Sequence, residues 1–143
     1  MPENMKTAKA TLRYAGDDLF VGISPSGHAQ VIDVNQQRSA GPSPTELLLL
    51  SLGSCTASDV ISILHKKREP VTGYRIEVHG ERREEHPRSY RRFEVRHIVR
   101  GRGISEKSVQ QAVELSSEKY CGVAATVRPT AEVAVTWEIE EES

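Results

Sequence analysis

The order of alternating and continuous apolar segments predicts an α+β chain with six strands and two main helices. Strands alternate apolar and polar residues, whereas amphipathic helices repeat apolar residues every three to four positions. The predicted strands are Lys9–Tyr14, Leu19–Ser24, His28–Val34, Val71–Glu84, Tyr90–Arg102 and Val127–Ile139, and the helices run from Pro44 to about Lys67 and from Ser105 to about Tyr120. A short helical piece follows from Cys121 to about Thr126. We therefore expect one domain over residues 1–143 with the order βββ-α-ββ-α-β.

The first predicted helix carries recognisable start and stop signals. Ser43 can cap its N-terminus, Pro44 suits the first turn, and Glu46 is favourable at the positive end of the helix dipole. A basic run at residues 66–68 lies near the negative end, where cations are favourable. These signals place the helix between two polar boundaries.

Leucines cover every side of this helix. They are Leu47, Leu48, Leu49, Leu50 and Leu52. A helix that is apolar all round must be buried on every side, and one small sheet can cover only one face. We therefore expect a homodimer in which a second subunit covers the other face of this buried central helix. The alternative is that the second helix and a loop of the same chain cover it.

Composition and charge narrow the class of protein. The chain has 143 residues, of which 37% are hydrophobic and 27% charged, and its net charge is −1. A domain of this size can bury about two-thirds of its unfolded surface without metal or disulfide support. The basic residues of the predicted hairpin alternate with glutamates, so we interpret them as a mixed solvated face and expect no nucleic-acid partner.

Targeting signals and membrane spans are not expected. Met1–Lys9 is polar and lacks the apolar core of a signal peptide, and no run of 18 apolar residues exists. Two cysteines without a secretory signal indicate a reducing cytoplasm and free or redox-active thiols. The five histidines do not fall at metal-ligand spacings and no glycine-rich phosphate loop is present, so we expect neither metal nor cofactor.

The candidate chemistry lies in Cys55 and Cys121, the only cysteines of the chain. Each falls at or in a predicted helix and is surrounded by small residues. Small neighbours leave room for a substrate or a second sulfur to reach a thiol. The thiolate is the reactive form, and a sulfenic acid formed on it needs a second thiol to prevent over-oxidation.

The two cysteine segments resemble the signature segments of the OsmC/Ohr family, the osmotically inducible protein C and organic hydroperoxide resistance proteins. They read GPSPTELLLLSLGSCTASDV at 41–60 and EKYCGVAATV at 118–127, and both look closest to the broad OsmC-like branch. The resemblance implies an OsmC-like fold in an intertwined homodimer with active sites at the interface. It also implies that Cys55 attacks a hydroperoxide substrate, that Cys121 resolves the sulfenic acid as a disulfide, and that a dithiol reductant restores both thiols.

The resemblance further implies an Arg that holds the thiolate and an acid that holds this Arg. The best candidate for the Arg is Arg38, followed by Arg13. Thr45 stands where the peroxidase branches have the acid, and the next residue, Glu46, is the catalytic candidate. On an unbroken helix at about 100° per residue, Glu46 would point away from Cys55, which favours a capping role instead.

Asp59 lowers the expected activity of the site. It lies four residues after Cys55, one helical turn along the same face, where an unpaired carboxylate would raise the thiol pKa. We therefore expect slow or substrate-restricted peroxidase activity. The alternative function is a non-catalytic OsmC-like protein that binds a small hydrophobic molecule in the apolar dimer crevice, with both cysteines as ordinary core residues.

Overall fold

The computed structural model describes residues 6–143, so most of the polar Met1–Lys9 segment lies outside the described residues. The elements are β1 Thr11–Gly16, β2 Leu19–Ile23, β3 Ala29–Asp33, α1 Pro44–Lys66, β4 Val71–Arg82, β5 Tyr90–Gly101, α2 Glu106–Leu115, a π-helical turn Ser116–Tyr120, α3 Gly122–Val127 and β6 Glu132–Glu141. The predicted α+β order is confirmed. The chain forms two compact units, Met1–Leu48 and Leu49–Ser143.

The first unit contains an antiparallel sheet in the order β1-β2-β3. Its first turn uses Asp17 and Asp18, whose φ angles of 55° and 61° lie in the left-handed region. Asp tolerates this region better than most residues because its short side chain can hydrogen-bond locally. Leu12 and Tyr14 of β1 are more than half exposed, which leaves apolar surface on this sheet uncovered in the single chain.

The second unit contains a sheet in the order β4-β5-β6. The hairpin β4–β5 is antiparallel, as the alternating sequence predicts, while β6 pairs with β5 in parallel. The shared core joins both long helices to this sheet and consists of Val60, Leu64, Val99, Ile104, Val109, Ala112 and Val113. Trp137 packs against this core.

Helix α1 buries a single stripe in the described chain. The buried residues are Leu52, Gly53, Thr56, Val60 and Leu64, mostly four positions apart and therefore on one face. Gly53 allows a close approach to β4, because a Cβ atom there would lie 2.9 Å from Cγ2 of Val78. Leu50 remains 63% exposed, so the single chain leaves other apolar faces of this helix open.

The length and composition of α1 also satisfy the criteria for a membrane span. Its most apolar 18-residue window has a mean hydropathy of 1.8, although the window is not a continuous apolar run. Core helices of soluble proteins pass the same test, so these two properties alone do not distinguish a core helix from a membrane span.

The predicted end of the second helix near Tyr120 is confirmed, whereas the predicted start of the last strand is wrong. The second helix is α-helical only to Leu115 and continues as the π-helical turn, because the Cys121 N–H bonds the Ser116 carbonyl five residues back. Leu115, the last residue of α2, is 40% exposed. The last strand begins at Glu132 rather than Val127, since Val127 still belongs to α3 and its carbonyl accepts bonds from the following turn.

Candidate active site

Cys55 lies in the middle of α1, at the edge of its buried stripe. It is half-buried, while the next residue, Thr56, is buried. The residues that flank it in the sequence at positions 53, 54, 56, 57 and 58 are Gly, Ser, Thr, Ala and Ser, all of them small. The thiol is therefore held on a rigid element and keeps partial access to solvent.

Cys121 lies between the π-helical turn and α3. It forms the N-cap of α3, and its Sγ accepts a hydrogen bond from the Ala124 N–H at 3.4 Å. Burial raises the pKa of the Cys121 thiol, the N–H of Ala124 opposes this shift, and contact with Cys55 raises the pKa further. The buried thiol therefore favours the protonated form.

The fold brings the two cysteines together. The side chains of Cys55 and Cys121 lie close enough to influence each other electrostatically, although 66 positions separate them in the sequence. Both thiols are free. The more exposed Cys55 is the better placed of the two to meet a substrate, and the buried Cys121 is adjacent to receive the product of that reaction.

Three buried or half-buried polar residues hold the two cysteine segments against each other. Oγ of Ser116, which is fully buried, lies 2.8 Å from Oγ1 of Thr56 and 2.9 Å from Oδ2 of Asp59. Thr56 and Asp59 belong to α1, and Ser116 begins the π-helical turn. Asp59 is thus engaged by a neutral hydroxyl, which sequence reasoning did not foresee.

A small cavity lies beside Cys121. It has a volume of about 10 Å³ and is lined by Leu52, Thr56, Val95, Ser117, Cys121, Ala124, Val133 and Val135. A cavity of this size holds about one water molecule. It is far smaller than the several hundred cubic ångströms of a drug-sized ligand site.

A second buried polar pair occupies the same unit. The Tyr74 hydroxyl lies 2.7 Å from Nδ1 of His97, and the two rings stack at 6.0 Å. Burial lowers the pKa of His97 to about 4. Burial also raises the pKa of Tyr74, and the nearby charge of Asp59 adds to this shift. Both side chains are therefore neutral near pH 7.

The predicted arginine, Arg38, lies in a loop of the first unit. Its guanidinium donates to the side chain and the carbonyl of Asp17, and its Nε lies 3.7 Å from Oδ2 of Asp33. The Asp33 carboxylate also accepts from the N–H groups of Asn35 and Ala40, which lowers its pKa. Sequence reasoning missed Asp33, whose only signal was a lone acid at a strand end.

The remaining candidates are Arg13 for the arginine and Glu46 for the acid. Arg13 lies exposed on β1. Glu46 forms a capping box with Ser43, since each side chain accepts the backbone N–H of the other residue at 2.8 and 3.2 Å. These bonds lower the pKa of Glu46 and account for the predicted capping role. The catalytic roles of Arg38, Arg13 and Glu46 stay predictions.

Metal ligation has no candidate cluster in the part of the chain that the structure describes. Within residues 6–143, no group of three His, Cys, Asp or Glu side chains is close enough to hold a metal ion. Apart from the thiol itself, the cavity beside Cys121 is lined by hydroxyl and apolar side chains.

Comparison with known proteins extends the similarity over nearly the whole chain. The family model for OsmC-like protein matches residues 36–137, a range that includes Cys55, Cys121, Arg38 and Glu46 but not Arg13. Protein YhfA of Escherichia coli is 37% identical over 131 residues, which cover 92% of this chain and 97% of YhfA.

Solved structures show the same fold. A hypothetical protein from Aquifex aeolicus VF5 has a TM-score of 0.86 and 36% identity, with 97% of this chain and 100% of that chain covered. An organic hydroperoxide resistance protein from Elizabethkingia anophelis has a TM-score of 0.73 at 13% identity, with 97% and 100% covered. The second likeness is one of fold alone.

Proposed function

Because the chain belongs to the OsmC-like protein family, we propose that it is a thiol-dependent peroxidase that reduces organic hydroperoxides or hydrogen peroxide. The observation that carries the proposal is the adjacency of the Cys55 and Cys121 thiols. Two neighbouring thiols with different exposure are what a peroxide-reducing pair requires, one to attack and one to resolve. The similar fold of a hydroperoxide resistance protein is consistent with this chemistry.

In the first step, the Cys55 thiolate attacks the terminal oxygen of the hydroperoxide. The O–O bond breaks, an S–O bond forms, and the leaving alkoxide takes a proton from solvent to become an alcohol. Cys55 is thereby oxidised by two electrons to a sulfenic acid. Its partial exposure supports this role, whereas the buried Cys121 is less accessible to a peroxide.

In the second step, Cys121 attacks the sulfenic sulfur of Cys55. An S–S bond forms, and the hydroxyl leaves as water with the proton of the Cys121 thiol. The raised pKa of Cys121 fits a thiol that keeps its proton until this step. An external dithiol then reduces the disulfide, supplying two electrons and two protons and restoring both thiols.

We expect modest turnover. Thr45 stands where the resemblance implies an acid, and Arg38 is already bonded to Asp17. An arginine that is held by an aspartate is less available to stabilise a thiolate. A kcat/KM below about 10⁴ M⁻¹s⁻¹ for cumene hydroperoxide is the expected result.

The working form is proposed to be a homodimer in a reducing cytoplasm. Only 28% of the most apolar window of α1 is buried in the single chain, and a second copy would cover the rest. Light scattering coupled to size-exclusion chromatography at micromolar concentration should give twice the mass of the chain. A monomer there would remove this part of the proposal.

The alternative of a small hydrophobic ligand remains a separate function. The cavity beside Cys121 holds only about one water, so this cavity is too small for a hydrophobic ligand. A ligand would therefore need a different space, such as the proposed dimer crevice. For this reason the peroxidase function is preferred.

The test is intact-mass spectrometry after addition of one equivalent of cumene hydroperoxide without reductant. The expected product is the loss of two hydrogen atoms, mapped by peptide digestion to a Cys55–Cys121 disulfide. The variant C121S should instead gain one oxygen on Cys55, because no resolving thiol is present. An unchanged wild-type mass with both thiols free would reject the peroxidase function.

The matched control removes the other cysteine of the pair. The variant C55S keeps the buried thiol of Cys121 but lacks the proposed attacking sulfur. Its mass should not change on the time scale on which the wild-type disulfide forms. Equal reactivity of C55S and C121S would mean that the two thiols have no distinct roles.

A further inference from the structure

We infer that Ser116 is a positioning residue for the resolving thiol, and that its hydroxyl, held by Asp59 and Thr56, keeps Cys121 against Cys55. The inference rests on the proposed function, because it concerns the second step of that reaction. It assigns a role to a fully buried serine that no cysteine motif of the sequence identifies. Ser116 does not touch the reacting sulfurs in this role and acts through the chain that carries Cys121.

Ser116 is connected to both cysteine segments. Its carbonyl accepts the N–H of Cys121 at 2.8 Å and so closes the π-helical turn. Its hydroxyl reaches α1, with Oγ at 2.9 Å from Oδ2 of Asp59 and at 3.2 Å from the carbonyl oxygen of Thr56. Thr56 directly follows Cys55 in the sequence. One residue therefore links the backbone of Cys121 to the helix that carries Cys55.

The hydrogen bonds of this cluster have a direction. Ser116 has one hydroxyl hydrogen, and a carboxylate is the strongest acceptor within reach. The hydrogen therefore points to Asp59. In the 2.8 Å contact between the two hydroxyls, Thr56 therefore donates and Ser116 accepts. The resulting chain runs from the Thr56 hydroxyl through Ser116 to the Asp59 carboxylate, and every oxygen in it has a partner.

The same cluster changes the interpretation of Asp59. Its carboxylate is directed at the π-helical turn through Ser116, so its contact partner is a hydroxyl of the resolving segment. A hydrogen bond to a charged group contributes more than a neutral one, and more still where burial excludes water. Asp59 thus serves as the anchor on α1 for the segment that presents Cys121.

Disulfide formation is sensitive to this anchoring. A disulfide requires Cα atoms within about 7 Å and a narrow range of Cβ–S–S–Cβ angles, so a small shift of one segment weakens the bond. Without the Ser116 hydroxyl, the π-helical turn loses its side-chain attachment to α1. The attack of Cys55 on peroxide does not involve this turn, and its rate should not change.

The experiment measures the dithiol–disulfide equilibrium of the full chain in mixtures of reduced and oxidised dithiothreitol. The disulfide fraction is read by mass spectrometry after acid quench and alkylation. We expect S116A and D59A each to shift the equilibrium toward the dithiol by about threefold to tenfold, because a turn without its attachment must be ordered when the disulfide forms; the upper limit is the loss of a whole hydrogen bond to a charged group. The double variant should shift no further, because both changes remove one interaction.

Two controls separate positioning from a general loss of structure. S108A removes a serine hydroxyl from α2 and should leave the equilibrium within about twofold of wild type. In the C121S background, S116A should leave the rate of sulfenic acid formation on Cys55 unchanged. Circular dichroism melting verifies that each variant is folded, and D59A carries the test if S116A does not fold.

The outcomes distinguish this inference from the proposed function. An equilibrium within about twofold of wild type in folded S116A and D59A overturns the inference and leaves the peroxidase proposal intact. A shift of about threefold or more in a protein that does not react with peroxide supports the inference while the proposed function fails. A wild-type protein that forms no Cys55–Cys121 disulfide in oxidised dithiothreitol also overturns the inference, because there is then no bond to position.

Discussion

The two faces of the sheet β4-β5-β6 hold polar side chains under opposite conditions. On one face, Arg96 of β5 pairs with Glu77 of β4 at 2.9 Å and with Glu138 of β6 at 2.5 Å, and all three side chains are about half exposed. On the other face, the next residue, His97, is fully buried, and its side chain bonds Tyr74. Adjacent residues of one strand thus differ completely in their access to water.

The difference shows that the number of polar contacts does not measure their contribution. The charges of an exposed ion pair are also well solvated by water when they are apart, so the net contribution of the pair to stability is at most about 1 kcal/mol. A buried polar group cannot hydrogen-bond to water, so the loss of its protein partner costs the full desolvation free energy of the group. Among the buried side-chain polar atoms of residues 6–143, Nε2 of His97 is the one with no hydrogen-bond partner.

The greatest loss of stability is expected on the buried face. Phe93, which is 1% exposed, packs against the ring of Tyr90 with the centroids 4.8 Å apart. F93A should lower the free energy of unfolding by about 3–5 kcal/mol, because it removes a buried ring and leaves a cavity. Urea unfolding at fixed protein concentration measures the change.

The control for this prediction is the next residue on the opposite face of β5. Glu94 is exposed, and E94A should change the free energy of unfolding by about 0.5 kcal/mol or less. Equal losses in F93A and E94A would contradict the distinction between the two faces.

An intermediate effect is expected from acid. The pKa of His97 falls from 6.5 to about 4 in the folded protein, so the unfolded chain binds more protons between these values. The contribution of neutral His97 is complete above pH 6.5 and is lost as the pH falls toward 4. The free energy of unfolding should decrease over this window by at most about 3 kcal/mol.

A pair of histidine variants isolates this effect. H97N removes the titrating ring but keeps an amide near the position of Nδ1. The free energy of unfolding of this variant should therefore change less between pH 6.5 and 4. H79N removes an exposed histidine of β4 and should leave the wild-type slope. An unchanged slope in H97N would assign the acid sensitivity to other groups.

The weakest effect is expected on the exposed face. R96Q breaks the contacts to Glu77 and Glu138 and should cost at most about 1 kcal/mol. The difference from wild type should shrink in about 1 M salt, because the Debye length falls to about 3 Å. Urea unfolding at low and high salt measures both values.

R100Q is the comparison for R96Q. It removes an arginine from the same face of β5, four residues along the strand. A loss in R96Q of about 2 kcal/mol or more, unaffected by salt, would mean that this face is covered in solution and that the single chain underestimates its burial.

Much of the fold could be predicted from local patterns. The strands alternate apolar and polar residues, and the capping box of Ser43 and Glu46 lies within four positions of the chain. The π-helical turn after Leu115 could not be predicted, because its helical periodicity continues smoothly into residues 116–120. Its first residue, Ser116, bonds residues about 60 positions away, Thr56 and Asp59.

The candidate site divides in the same way. Sequence alone selected Cys55 and Cys121, because thiols with small neighbours and a family resemblance are properties of short segments. It did not select Ser116, since a serine in a helix carries no local signal of function. The sequence also suggested that Asp59 acts on Cys55, whereas the residue that Asp59 bonds is Ser116.

The elements, their order and the two thiols follow from the amino-acid sequence alone. Periodicity and helix caps depend on residues within a few positions of each other, which makes them readable along the chain. Tertiary folding determines that Cys55 meets Cys121, that β6 pairs in parallel with β5, and that Asp59 bonds Ser116. Those contacts join residues roughly 40 to 66 positions apart, and they form only when burial of the shared core brings distant segments together.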